Sequence, residues 1–233
     1  MNIAIIGAGN IGWHLARVFI KAGHPVKQIW SRDHQKAVEL ALEIGANSLE
    51  NLAQLNSKVD LVVLAVADDA IASVAAQLVL EKHQILVHTS GSTSMDVLKN
   101  YGHRIGVFYP LQTFSKYTSV DFSDIPLCIE ASDDETASAL MNLASKLSSK
   151  AQLIDSDQRL KLHIAAVFAC NFTNHFYTIA QQILFSSRTN FEMIRPLIAQ
   201  TAQKVMQGAP YDLQTGPARR NDLTTMAKHL EIL

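Results

Sequence analysis

The sequence is short of cysteine: 233 residues hold only Cys128 and Cys170, so neither a disulfide framework nor a four-cysteine zinc site can be built. Both lie in apolar surroundings, PLCIE and VFACN, and read as buried free thiols of a reducing cytoplasm. A surplus of positive charge is also missing, with 20 Lys+Arg against 21 Asp+Glu and a net charge of −1. Nucleic-acid binding as the main activity needs such a surplus to displace counterions, so it is excluded. Neither HxxxH nor CxxC occurs, and no metal is expected. Nor is a secretory leader expected, because only the short apolar run Ile3–Ile6 precedes Gly7. The uncharged stretch Leu162–Ser187 exceeds the roughly 20 residues that span a bilayer. It carries His163, Asn171, Asn174, His175 and Gln181, however, which hydrocarbon penalises. A buried helix with a polar stripe, in a soluble cytoplasmic protein without membrane contact, fits better.

What is present is apolar material for a real core, 48% hydrophobic against 18% charged. Short apolar runs at Asn2–Ile6, Val26–Trp30, Leu61–Val66, Ile85–His88, Ile105–Phe108 and Leu127–Ile129 read as strands covered on both faces. Between them Ile11, Leu15, Val18 and Phe19, and then Ala37, Leu40, Ala41 and Ile44, recur at helical spacing. Ser132 with Glu135 has the spacing of a capping box opening a helix toward Leu147. Alternating strand and helix predicts an α/β fold, a doubly wound and mostly parallel sheet. After Gln152–Ile154 the pattern turns helical: one long helix over Leu160–Leu184, a second over Phe191–Gln207 that Pro196 starts or kinks, and a third over Asp222–Leu230. The expected division is a dinucleotide-binding domain over 1–152 and an all-helical C-terminal domain over 153–233.

Gly7-Ala8-Gly9-Asn10-Ile11-Gly12 fits G-x-G-x-x-G. The string alone is weak; placed between a strand and a helix it has a physical purpose. The first glycine allows the tight turn, the second lets a diphosphate approach the backbone, and the third permits close helix–sheet packing. Free amides and the positive end of the helix dipole favour the anion. The bland alternative is a glycine turn that binds nothing. At the end of the second strand an NAD binder carries an acidic residue for the ribose hydroxyls, whereas this chain reads Trp30-Ser31-Arg32-Asp33. A hydroxyl and a guanidinium suit a 2′-phosphate, which favours NADP over NAD, with Asp33 serving the ribose or capping the next helix. Two further strand ends face the same crevice. Ala65-Val66-Ala67-Asp68 leaves room for cofactor, with Asp68 alternatively a cap. Thr89, Ser90 and Gly91 line the nicotinamide pocket or merely shape a turn, with Ser92 read as the following helix cap.

On the long helical stretch Asn171, Asn174 and Thr178 share a face, and His163 lies two turns earlier. A histidine is a natural proton donor when hydride reaches a carbonyl or imine carbon, and asparagines can hold a substrate oxygen. The competing reading is that these groups satisfy one another in a core or interface. Tyr109, in the segment GVFYPLQTF, donates a proton, stacks on the nicotinamide or simply packs beside Pro110; Gln112 is a weaker candidate of the same kind. Arg219 and Arg220, in TGPARRND, form either an anion clamp or a restrained surface turn.

The ordered set GAGNIG, IWSRD, LAVADDAI, VHTSGSTSMDVL, GVFYPLQTFSK, HIAAVFACNFTNH and TGPARRND resembles the Rossmann-like NADP oxidoreductases that carry a C-terminal domain of unknown function, the 2520 family. The resemblance covers essentially the whole chain. More distantly the set is similar to pyrroline-5-carboxylate reductases, deazaflavin-dependent NADP reductases and β-hydroxyacid dehydrogenases. It implies a helical domain like the C-terminal domain of 6-phosphogluconate dehydrogenase, a homodimer formed through that domain, and hydride transfer to a C=O, C=N or deazaflavin centre. One departure stands out. β-Hydroxyacid dehydrogenases place a catalytic lysine four residues before an asparagine; Asn171 matches that asparagine, but Val167 stands where the lysine would be. The expectation is therefore an NADP-dependent oxidoreductase of a small, anionic substrate, with His163, Asn171 and Tyr109 at the chemistry and Gln112, Asn174, Arg219 and Arg220 on the substrate. The alternative is an NADP-binding sensor or scaffold without turnover.

Overall fold

In the computed structural model, which describes residues 1–232, the apolar runs become the centre of an eight-stranded sheet. The chain begins β1 (Ile3–Ile6), α1 (Asn10–Lys21), β2 (Val26–Trp30), α2 (His34–Ile44), a two-residue β3 (Asn47–Ser48), β4 (Leu61–Leu64), a short α3 (Ile71–Ala75), β5 (Ile85–His88) and β6 (Arg104–Pro110). It continues with β7 (Leu127–Ala131), α4 (Asp134–Leu147), β8 (Ala151–Leu153) and α5 (Ser156–Ala166). Strand order is β3-β2-β1-β4-β5-β6-β7-β8, so the direction of winding reverses between β1 and β4, where open α/β sheets bind ligands at the carboxyl ends of their strands.

Every residue of β1 and β4 is buried, because helices cover both faces. Alternate side chains divide between two cores. Ile3, Ile5, Val63 and Val87 pack with Leu15 and Phe19 of α1, Leu40 of α2 and Leu140 of α4. Ala4, Ile6, Val62 and Leu64 pack with Ile71, Val74, Leu98 and Ile105 on the other face.

The strand β7 runs antiparallel to β6, since the chain returns through a loop rather than a crossover helix; β8 then pairs parallel with β7. β6 reaches Pro110, so Tyr109 stands in the strand, opposite Cys128, and not in the loop beyond it. The cap of α4 is Asp133, not Ser132. Its carboxylate accepts from the Thr136 amide at 2.8 Å, while the Ser132 hydroxyl donates to Asp133, and Glu135 pairs with Arg104. Ser94, not Ser92, caps the turn at Met95–Leu98.

The expected long helix starts earlier and is not uniform. A capping box of Asp155 and Gln158 opens α5, and Val167–Phe172 forms a π-helical turn before α6 (Thr173–Ser186). The wheel that related His163 to Asn171 assumed an unbroken α-helix, and the wider π turn changes that register. The chain ends in α7 (Arg195–Val205) with Pro196 in its first turn, a one-turn α8 (Pro210–Leu213) and α9 (Leu223–Ile232).

Two compact units result, Met1–Val167 and Phe168–Leu233; α5, expected in the part beginning at 153, belongs to the first. None of the described residues after Arg159 is buried, and Cys170, expected inside, is exposed. Among the described residues no helix is long and apolar enough to cross a membrane.

Candidate functional site

The glycine turn has the geometry its sequence implies. Gly7 takes φ +117°, and a Cβ there would stand 2.2 Å from the Ala65 carbonyl oxygen; a Cβ on Gly12 would stand 1.9 Å from the Gly7 oxygen. Backbone proximity therefore requires both glycines. Gly9 differs: a Cβ built on it meets nothing within 4 Å, although its backbone is extended (φ −75°, ψ −170°) and accommodates any residue. Space has been left where no packing needs it. The amides opening α1 are uncapped by any side chain, and no acidic residue occupies the first turn. Asn10 turns its amide away, donating to the Phe114 oxygen at 3.0 Å. The result is a cradle of open N–H groups at the positive end of a helix, which fits a dinucleotide diphosphate.

Beside it, the Gly7 amide donates to Trp30 at 2.6 Å, so the end of β2 abuts the turn. Ser31 is half-buried and Arg32 exposed; among the described residues Arg32 has no hydrogen-bond or ion-pair partner. Asp33 precedes α2 without capping it through its side chain and pairs with Lys36 at 3.0 Å, which holds its carboxyl below the usual carboxylate range. The acid at this strand end is thus occupied, and the guanidinium is free.

Across the switch point, Ala65 to Asp68 follow β4. The Asp68 carboxylate accepts from the Ser92 hydroxyl at 2.6 Å, joining the loops after β4 and β5. The hydroxyls of the next loop are already engaged. Thr89 donates to the Leu64 oxygen, and the Ser90 hydroxyl accepts from the Ser92 and Thr93 amides while donating to the Thr93 hydroxyl. That leaves mainly backbone, and the missing side chain of Gly91, to shape a pocket.

Gly91 is where the chemistry collects. A Cβ on it would come within 2.6 Å of His163 Nδ1 and 2.7 Å of the Tyr109 ring. The Tyr109 hydroxyl and His163 Nδ1 lie 3.1 Å apart, their rings edge to face. Two candidates separated by 54 residues thus form a pair. Burial pushes the Tyr109 phenol up to about 12, so it is a proton-bearing acid at neutral pH. His88 below is completely buried and its imidazole is pushed down to about 4 by desolvation. It is neutral, and its Nδ1 accepts from the Ser90 amide at 3.2 Å.

Of the remaining candidates, Gln112 belongs to the first unit and the other four to the helical unit. Gln112 accepts from its neighbour, the Thr113 amide, at 2.8 Å. Asn171 and Asn174 are exposed residues of the helical unit. In the same unit Arg219 lies over the Tyr211 ring and donates to its hydroxyl at 3.3 Å, while Arg220 is exposed. No hydrogen bond or ion pair among the described residues links these four to one another. Arg159, with Glu130 and Ser156, was missed by sequence reasoning; within DQRLKL it reads as the charged face of a surface helix, yet it is 1% exposed. A separate cleft of about 650 Å³ between α1 and the segment 116–123 touches neither Gly9 nor Tyr109.

Residues 2–91 match the family described as NADP oxidoreductase, coenzyme F420-dependent, and residues 125–233 match a domain of unknown function, DUF2520. A crystal structure from Bacteroides fragilis, of a protein provisionally named an NADP oxidoreductase, is 39% identical. It aligns with 100% of this chain and 90% of its own at a TM-score of 0.91. The chain belongs to this family of NADP oxidoreductases. It is an enzyme family whose cofactor is NADP, and the uncapped α1 terminus and unpaired Arg32 suit that cofactor. The fold is shared more widely. Protein TM1727 from Thermotoga maritima is 23% identical, over 97% of this chain and 87% of that one, at a TM-score of 0.73. An imine reductase from Myxococcus stipitatus, solved with NADP+, is 19% identical over 95% and 78% at 0.68. No curated protein matches the sequence.

Proposed function

We propose that this NADP-dependent oxidoreductase reduces a C=O or C=N bond of a small anionic molecule, with Tyr109 as proton donor and His163 as the relay behind it. The observation that carries this reading is the Tyr109–His163 pair at 3.1 Å, set against Gly91 at the carboxyl edge of the sheet. β1, β4, β5 and β6 are consecutive parallel neighbours, so the pair stands about three strand spacings, roughly 14 Å, from the glycine turn. We assign the diphosphate to the backbone of Gly7 through Gly12, the 2′-phosphate to Ser31 and Arg32, and the remaining length of cofactor to Ala65–Asp68 and Thr89–Gly91.

NADPH, when bound, supplies the hydride. The protein orients the acceptor carbon, excludes water and delivers the proton. As the substrate carbon gains hydride, its oxygen or nitrogen gains negative charge. The Tyr109 O–H is placed to neutralise it, and the phenolate recovers its proton through His163, which is half-buried and so connects to solvent. That a tyrosine–histidine pair takes this task agrees with Val167 standing at the position of the relatives' lysine. For the substrate's anionic group we propose Arg219 and Arg220, with Asn171, Asn174 and Gln112 as further polar contacts. Imine reduction is the chemistry named for the Myxococcus stipitatus neighbour.

The test is NADPH oxidation with 2-oxo acids, cyclic imines and a deazaflavin as acceptors. Tyr109→Phe should lower kcat by about 10²- to 10⁴-fold, the range of a lost general acid, and His163→Ala by a comparable factor. Unchanged turnover in both would overturn the assignment. Arg32→Glu should weaken NADPH by about 10- to 100-fold, one charge-assisted contact, and leave NADH nearly unaffected. Calorimetric titration with each nucleotide checks this, and equal losses would remove Arg32 from the 2′-phosphate. We further propose a cytoplasmic homodimer formed through the helical unit, whose described residues include none that is buried.

A further inference from the structure

Burying a charge is costly unless it is paired and hydrogen-bonded, and this chain does so at one place beneath its reactive pair. Arg159, 1% exposed, forms an ion pair with the largely buried Glu130 of β7. It also donates to the Thr93 carbonyl in the loop after β5 and to the Ser156 hydroxyl at 3.1 Å. Ser156 in turn donates to Glu130 at 2.9 Å and accepts from the Met95 amide at 3.3 Å. The guanidinium thus fixes three elements to one another: α5, β7 and the loop that carries Ser90 and Gly91. His163 lies four residues further along α5, on the same face and about 6 Å up the axis, where it meets Tyr109 and Gly91.

We propose that Arg159 is the positioning residue of the site: its fork to Glu130 and Thr93 sets the rotation of α5 and the height of the Gly91 loop, and so the Tyr109–His163 hydrogen bond. This inference rests on the proton-relay reading above and names what holds that relay in register. A simple stabilising pair would be replaceable by apolar side chains at little cost. A positioning fork would not be, since neither an ammonium nor a thioether reproduces planar, multi-partner donation. The guanidinium also lies close enough to Tyr109 to lower its pKa against the larger effect of burial; its charge therefore makes the phenol a somewhat stronger acid.

The experiment is nuclear magnetic resonance of the full chain labelled in its histidine rings, which needs no substrate. Tyr109→Phe supplies the reference position of the His163 ring resonances when the hydrogen bond is absent. Arg159→Lys and the paired Arg159→Met/Glu130→Leu variant, each confirmed folded by circular dichroism, should move the His163 resonances to that reference. The paired variant leaves no orphaned charge, so it keeps the test open should the lysine variant fail to fold. His163 resonances at their wild-type positions in a folded variant would overturn the positioning role. Where an acceptor turns over, both variants should lower kcat at least tenfold with a smaller change in KM. If Tyr109→Phe itself leaves turnover intact while the resonances still move, the relay reading fails, whereas the positioning of His163 by Arg159 stands.

Discussion

Replacing Gly9 by valine should abolish useful NADPH binding while leaving the protein folded. The backbone at Gly9 is extended and a Cβ there meets no protein atom, so neither strain nor clash opposes the substitution. The loss at an N-cap is at most about 1 kcal/mol. A branched side chain would instead fill the space from which a diphosphate reaches the first amides of α1. Losing about two charge-assisted hydrogen bonds, at 1.5–3 kcal/mol each, raises Kd by about 100-fold or more. Thermal unfolding and calorimetric titration on the same sample separate the two effects. Gly12→Ala makes the contrast: its Cβ would strike the Gly7 oxygen, so it should lower Tm before it says anything about cofactor. A Gly9→Val protein that binds NADPH as tightly as wild type would mean the diphosphate lies elsewhere.

The second large effect concerns assembly. Phe172, Phe176, Ile179 and Ile183 recur at helical spacing on and beside α6 and are 45%, 65%, 37% and 43% exposed, an apolar stripe wide enough to need a partner. A second copy of the same unit, lacking a core in the same way, is the occupant we propose. The protein should then run at about 51 kDa, twice the 25.6 kDa chain. Phe176→Glu places two carboxylates in a two-fold interface and removes two buried rings worth about 2 kcal/mol each. The dimer Kd should rise about 1,000-fold or more. Light scattering across a dilution series reads this out, and a wild-type monomer at all concentrations would contradict it.

What the sequence made legible was what is local in the chain. The tight backbone of the glycine turn and the runs Ile3–Ile6 and Leu61–Leu64 carry their meaning within a dozen residues, and the structure keeps each. Less was legible where a residue's role depends on distant partners. Arg159 looks solvated beside Lys161 until Glu130, 29 residues away, is brought against it. Tyr109 and His163 were each individually ambiguous, and only the pairing of β6 with the approach of α5 makes them a unit. The direction of β7 depended on whether its connection crossed the sheet, which composition does not encode. At Ser132-Asp133 two neighbouring residues could cap α4, and only the fall of the backbone chose between them.

The most direct test is a crystal structure of the protein with NADPH and a carbonyl or imine acceptor analogue. It should show the diphosphate on the amides after Gly9, the 2′-phosphate against Arg32, and the Tyr109 hydroxyl within hydrogen-bond reach of the acceptor's oxygen or nitrogen. A cofactor bound with the Tyr109–His163 pair turned away from the acceptor, or no cofactor at the glycine turn, would contradict these assignments.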